Sequence, residues 1–371
     1  MNKKILIPFF LSTLYCVSSC KKDVPVEPTR SFYMGVTPWP GDFTIAEVDT
    51  AYQFINGHCD IVSQHFDDGI PYEEAWHNLP MPQNFQQEVQ TRKTKTAGKK
   101  TFLSVAALNL TRKEKADYYS NVVVTDSIKN YWKQIPFNNP KIVTAYINYI
   151  SWLIDQFQPV YVNYGVESNL PSWNPGQFAL YKTFLQQVFS ELKIKYPSLP
   201  FFVSFMVDES SEGLANAAQL LPYTDFIGLS AYPYVSVSSS ANGNTDPGLF
   251  PANYFERFIN LDAGKPMAFA ETGYIAEDIL IPSFNLNKKG NADWQNKYLA
   301  SICELCEKRK AKLLVWFCSK DYDKGNATLQ SLGLYQDLFG LWQDIGLKDE
   351  NGQQRPAYQT WTQWMERKKT D

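Results

Sequence analysis

Apolar stretches of five to nine residues recur eight times along the chain, at 32–36, 60–66, 100–108, 160–165, 201–207, 225–231, 266–270 and 312–318. Their length and their content of Val, Ile, Phe and Tyr are those of buried strands. Between them lie longer stretches with helical spacing, at 45–55, 83–96, 140–157, 176–196, 214–221, 252–261 and 292–310. A last one, 334–342, follows the eighth run. Strands that alternate with helices predict a parallel α/β sheet, and eight rounds predict its closure into a single (β/α)8 TIM barrel over 32–371. A chain of 371 residues could hold two average domains, but such barrels reach this length as one. No self-similarity at 20–50 residues competes with that reading.

Period-2 alternation sorts each run into two faces. Counting back from Glu167 gives Gly165, Asn163 and Tyr161, with Val166, Tyr164, Val162 and Val160 on the other face. The seventh run puts Glu271 with Phe269 and Met267, opposite Ala270 and Ala268. The sixth puts Tyr232 with Ser230 and Gly228, and the fifth puts Asp208 with Met206 and Ser204. Four strands are thus expected to aim polar groups into one mouth of the barrel. Glu167 and Glu271 each end an apolar run, 104 residues apart. Carboxylates at the carboxyl ends of buried strands are costly to desolvate, and two of them make a candidate acid and nucleophile for retaining glycoside hydrolysis.

The N-terminus adds export. Lys3 and Lys4 precede an apolar run at 5–17 that is too short to span a bilayer. Val17-Ser18-Ser19-Cys20 resembles a bacterial lipobox, which would make Cys20 the lipidated first residue of the mature protein. Residues 1–19 are read as a lipoprotein signal peptide and 20–31 as the lipidated cysteine and its tether. Lys21-Lys22-Asp23 resembles charged signals that carry some Gram-negative lipoproteins to the surface. The expected location is the cell envelope, at the outer membrane.

A net charge of −3 gives no reason to expect nucleic acid. Aromatic residues make 15% of the chain, and aromatic faces stack on sugar rings as well as on each other. Cys303 and Cys306 form a CxxC inside a helical stretch and read as core residues. The three histidines lack zinc-ligand spacing, and no phosphate-binding glycine loop appears. Asp321 and Asp323 are spaced like the start of a calcium loop but lack the later bidentate acid, so a turn is expected there, with structural calcium as the lesser reading.

With Glu167 after the fourth run and Glu271 after the seventh, the chain resembles the large clan of retaining (β/α)8 glycosidases. Within it, the 225–234 string DFIGLSAYPY is similar to the matching strand of arabinogalactan endo-β-1,4-galactanases, family 53, and 346–361 resembles their closing segment. The resemblance implies Glu167 as acid/base, Glu271 as nucleophile, Tyr232 as a hydrogen-bond donor to Glu271, and Trp316 as the aromatic floor of the sugar subsite. Val166 departs from the Asn usual before the acid/base; Asn169 or Asn163 is a candidate substitute. His65 and Asp208 are candidate ligands for sugar hydroxyls, and Trp39, Trp76 and Trp173 are candidate outer platforms. The expectation is a monomeric, cofactor-free, endo-acting hydrolase of a β-linked polysaccharide. A non-catalytic glycan-binding lipoprotein on the same barrel is the alternative, and a mannan or another hexose polymer is the alternative substrate.

Overall fold

The computed structural model describes residues 27–119, 122–170, 174–236 and 243–370. Eight parallel strands close into a barrel: β1 (Tyr33–Val36), β2 (Ile61–Phe66), β3 (Lys100–Val105), β4 (Tyr161–Gly165), β5 (Phe201–Met206), β6 (Ile227–Ala231), β7 (Met267–Thr272) and β8 (Leu313–Trp316). Each pairs with its sequence neighbours, and β8 closes onto β1 with Leu313 opposite Tyr33. This is the predicted (β/α)8 architecture.

Local chemistry sets the helix starts. Asn139 and Asn174 each accept a backbone N–H from two residues on and are followed by proline at the first helical position. Ser210 and Asn291 cap the helices Ser211–Leu220 and Ala292–Arg309 in the same manner, three residues on. The long helix Pro140–Phe157 buries Ile142, Val143, Ala145, Tyr146, Tyr149, Ile150, Leu153 and Ile154, the apolar stripe that docks it on the barrel.

Two apolar layers result. Inside the lumen, Ile61, Phe102, Phe202, Phe226, Ala268, Ala270, Leu313 and Val315 form one cluster. Phe102 and Phe202 stack at 5.7 Å, and Gly228 lies so close to the Phe202 ring that a Cβ there would meet it at 2.6 Å. Above this plug, Asn163 donates to Ser104 Oγ at 3.3 Å and to Ser204 Oγ at 3.1 Å, a polar layer beneath the mouth. The larger layer lies between strands and helices. Cys303 and Cys306 belong to it as buried free thiols, and burial pushes their pKa values up.

Several elements differ from the sequence expectation. The stretch 334–342 is not the eighth helix: only a 3-10 segment, Asp337–Trp342, forms there, and Pro356–Met365 packs as the closing helix instead. Helices Tyr72–His77 and Asp126–Gln134 and a hairpin of Ile279–Ile281 with Leu286–Lys288 arise within βα excursions. Thr29–Arg30, expected in the tether, pairs in parallel with Lys368–Lys369. Arg30 is buried, pairing with Asp60 at 2.7 Å and donating to Trp364 O at 3.0 Å. The folded body therefore begins before residue 32. Residues 1–26, with Cys20 and the expected signal peptide, lie outside the described residues. Among the described residues no helix is long and apolar enough to cross a membrane.

Candidate active site

Both glutamates reach the lumen through a break in strand regularity. Between Phe269 and Thr272, β7 takes three steps where β6 takes two (Leu229 to Ala231) and β8 takes two (Leu314 to Trp316). Ala268 and Ala270 face the lumen cluster, while Met267 and Phe269 belong to the outer layer, Phe269 against Phe255. The simple alternation that set Phe269 and Met267 beside Glu271 is therefore incorrect. The extra residue re-aims Glu271 inward and leaves Thr272 outward, bonded to Tyr298.

A similar irregularity lies in β4, where Asn163 and Gly165 are matched by the adjacent Phe202 and Val203 of β5. Tyr164 packs outward on Phe189, and a Cβ on Gly165 would meet Val203 at 2.9 Å and Leu185 at 3.4 Å, also outward. Gly165 thus does not share a face with Asn163. Glu167 follows in a left-handed conformation, φ 50°, which costs a side-chain-bearing residue about 1 kcal/mol or more. Its backbone N–H donates to Ser204 Oγ at 3.0 Å, which fixes the turn.

At the mouth a cavity of about 610 Å³ is lined by both glutamates, His65, Asp67, Arg112 and an aromatic wall of Trp39, Phe317, Tyr322, Phe339 and Trp342. The charged groups form a chain. Ser230 Oγ donates to Glu167 Oε1 at 2.8 Å, and Arg112 Nε donates to Glu167 Oε2 at 2.9 Å. The two terminal nitrogens of Arg112 grip both oxygens of Asp67, at 2.8 and 2.7 Å. His65 lies 3.6 Å from Asp67 and 3.9 Å from Glu271 Oε2. Tyr232 donates its hydroxyl to Glu271 Oε1.

Burial raises the Glu271 pKa and the nearby Glu167 charge adds to it, against the pull of His65, Tyr232 and Arg112. Burial also opposes charge on Asp67, but Arg112 and His65 outweigh it and hold that carboxyl at about 2. For His65 the acidic neighbours likewise overcome burial, and its pKa lies above the ordinary value. The site is a desolvated network in which each carboxylate meets a cation or a donor.

Of the remaining expected ligands, Trp39 lines the cavity, 5.9 Å from Phe317. Trp316 does not line it: that ring is fully buried in the outer layer beside Tyr298, with Nε1 on Ile345 O, and Phe317 faces the cavity instead. Asn169 is spent on structure, bonding Met206 through both backbone groups and Gly213 O. Asp208 accepts from Ser210 N at 3.1 Å, outside the cavity lining. Trp76 belongs to a different cavity. Trp173 lies outside the described residues.

Asp67 and Arg112 were not foreseen from sequence. Asp67 stands two residues beyond His65, a signal that was available; Arg112 sits in a loop whose path nothing in the sequence fixes. Trp342 and Phe339 were hidden by the helical reading of 334–342. Thr37, Trp39 and Trp342 line the cavity, and the Thr37 hydroxyl and the two indole N–H groups are buried without a protein partner.

Away from the mouth, Glu277, Asp321 and Asp344 bring carboxylate oxygens within 4.8 Å of one another, as do Asp321, Asp323 and Glu350. Arg355 lies among them, 2.6 Å from both Glu277 and Asp321. A guanidinium therefore supplies positive charge to the first of these sets.

Comparison with known proteins adds the fold context. No family model matches the chain, and no curated protein matches it. Solved structures do. A GH5_18 protein from Streptomyces cattleya, in complex with Manβ1-4GlcNAc, aligns over 90% of this chain and 80% of its own at 13% identity, TM-score 0.62. A GH5_18 protein from Bifidobacterium longum subsp. infantis aligns over 92% and 80% at 14% identity, TM-score 0.60. Xylanase 10B from Thermotoga maritima aligns over 91% and 95% at 12% identity, TM-score 0.56. The chain has the TIM-barrel fold of these glycoside hydrolases. At such identities the likeness is one of fold, and it carries nothing specific to family 53.

Proposed function

We propose that the protein is a retaining glycoside hydrolase that cleaves a β-linked polysaccharide from within the chain. The observation that carries this reading is the convergence of Glu167 and Glu271, from β4 and β7, on one aromatic-walled cavity through a shared charge network. Glu271 is the nucleophile: Tyr232 and His65 stabilise its charge as the sugar carbon leaves its glycosidic oxygen and forms an ester to the carboxylate. Glu167 first protonates that leaving oxygen and then takes a proton from the water that hydrolyses the ester.

Arg112 does not block this cycle. Its two terminal nitrogens remain on Asp67 when Glu167 takes up a proton, so the guanidinium keeps a counter-charge throughout. Trp39, Phe317 and Trp342 supply ring faces suited to a sugar. A mannan or another hexose polymer fits this cavity chemistry as well as a galactan. No organic cofactor is called for. Lipidation at Cys20 would hold the barrel at the cell envelope, acting as a monomer on extracellular glycan.

A glycan-binding protein without turnover is the competing reading, favoured by the Arg112–Glu167 pair and by Val166 before Glu167. Reducing-sugar release from β-galactan, β-mannan, β-glucan and xylan separates the two. Release by the parent, lost in Glu167→Gln and Glu271→Gln, supports the hydrolase. Binding to a polymer without release supports the competitor. Activity that survives both substitutions contradicts the assigned carboxylates.

A further inference from the structure

A second cavity, of about 320 Å³, shares no lining residue with the first. It is bounded by helices Tyr72–His77 and Asp126–Gln134 and by Lys141 in the first turn of Pro140–Phe157. The first two helices belong to the excursions after β2 and β3, and the third runs back toward the start of β4, so its first turn lies at the carboxyl end of the barrel. Both cavities thus lie toward the same end.

Three rings line the second cavity. Trp132 is the fixed one: it is 1% exposed, stacks on Tyr72 at 5.4 Å and donates Nε1 to Glu73 Oε2 at 2.9 Å. Tyr131 meets it edge-on, at 79°, and is 45% exposed. Trp76 is half-buried. Lys141 Nζ donates to Tyr131 Oη at 2.5 Å and lies 5.9 Å from the Trp76 ring centre. Of its three N–H groups, this bond uses one. Glu73 Oε1 pairs with His77 at 3.2 Å, and Ser127 adds an exposed hydroxyl.

A volume at the small end of ligand pockets (roughly 300–1,000 Å³) admits a short segment of a chain. Rings offer faces to the C–H side of a pyranose, and Lys141, Ser127 and Glu73 at their edges offer partners to its hydroxyls. Glu73 and Lys141 put one charge of each sign at the cavity, so nothing selects a strongly charged polymer. We propose that this cavity is an accessory glycan-binding site for a neutral hexose or pentose polymer, holding the chain apart from the cleft. The ligand class rests on the glycoside-hydrolase reading; the cavity does not.

The test is native affinity electrophoresis of the Glu271→Gln protein, residues 21–371, in gels containing β-galactan, β-mannan, β-glucan or xylan. One polymer is expected to retard it, and Tyr131→Ala is expected to weaken that retardation about tenfold, the loss of one stacking contact. Tyr131→Phe, which keeps the ring, should retain most of it. In the parent background Tyr131→Ala should leave kcat/KM for an aryl glycoside unchanged, because a small substrate reaches only the cleft. Retardation indifferent to Tyr131→Ala, or absent with every polymer, overturns the proposal. Retardation that depends on Tyr131 in a protein with no hydrolysis of any polymer keeps the accessory site and removes the hydrolase reading.

Discussion

Arg112 places its Nε 2.9 Å from Glu167 Oε2 while its terminal nitrogens clasp Asp67. Arg112 also opposes the burial of Asp67 and holds that carboxyl at about 2. Replacing Arg112 by Met leaves the buried Asp67 carboxylate without its cation, which should cost about 3–5 kcal/mol of stability. Urea denaturation at neutral pH reads that loss. Unchanged stability would mean that the pair does not hold this side of the site together.

Tyr232 gives its hydroxyl to Glu271, and a hydrogen bond to a charged group contributes about 1.5–3 kcal/mol. Tyr232→Phe removes a group that lowers the Glu271 pKa. Hence kcat/KM should fall roughly 10–100-fold, and the acidic limb of the profile should shift upward, because Glu271 is then protonated over more of the range. Both are read in one set of pH-dependent rates.

The barrel was legible because eight strand-like runs alternating with helical stretches leave few other topologies. Glu167 and Glu271 were legible because charge at the carboxyl end of a buried run stands out. How they turn inward was not legible. Period-2 counting put Glu271 with Phe269, and Gly165 with Asn163, whereas an extra residue in β7 and an irregularity in β4 separate each pair. Such irregularities depend on neighbouring strands and leave no mark in a single run. Trp316 was misplaced by one residue for a related reason: its indole is drawn outward to Ile345 O, and Phe317 takes the cavity side. Asn169 looked available because its clamp on Met206 and Gly213 is made across elements distant in sequence.

Gly165 is a packing test of the β4 irregularity. An added methyl would meet Ser168 Oγ at 2.7 Å and Val203 Cγ1 at 2.9 Å. Gly165→Ala should cost about 1–3 kcal/mol by overpacking, measured by urea denaturation at neutral pH. Unchanged stability would contradict the outward placement of this position.

Phe317 and Trp39 stand together on the cavity wall, with ring centres 5.9 Å apart. Phe317→Ala should raise KM for a polymer about tenfold, the equivalent of 1.4 kcal/mol of ring contact. The buried Trp316→Phe change should instead lower thermal stability, since Ile345 O loses its donor. Steady-state kinetics and a melting curve on the two variants distinguish these roles.

Covalent capture of the nucleophile tests the central claim most directly. The protein, residues 21–371, is incubated with activated 2-deoxy-2-fluoro glycosides of galactose, mannose, glucose and xylose, and its intact mass is followed. The account predicts a gain of one fluorosugar, mapped by peptide fragmentation to Glu271 and absent from Glu271→Gln. An adduct on another residue, or polymer hydrolysis with no adduct from any of the four, would contradict it.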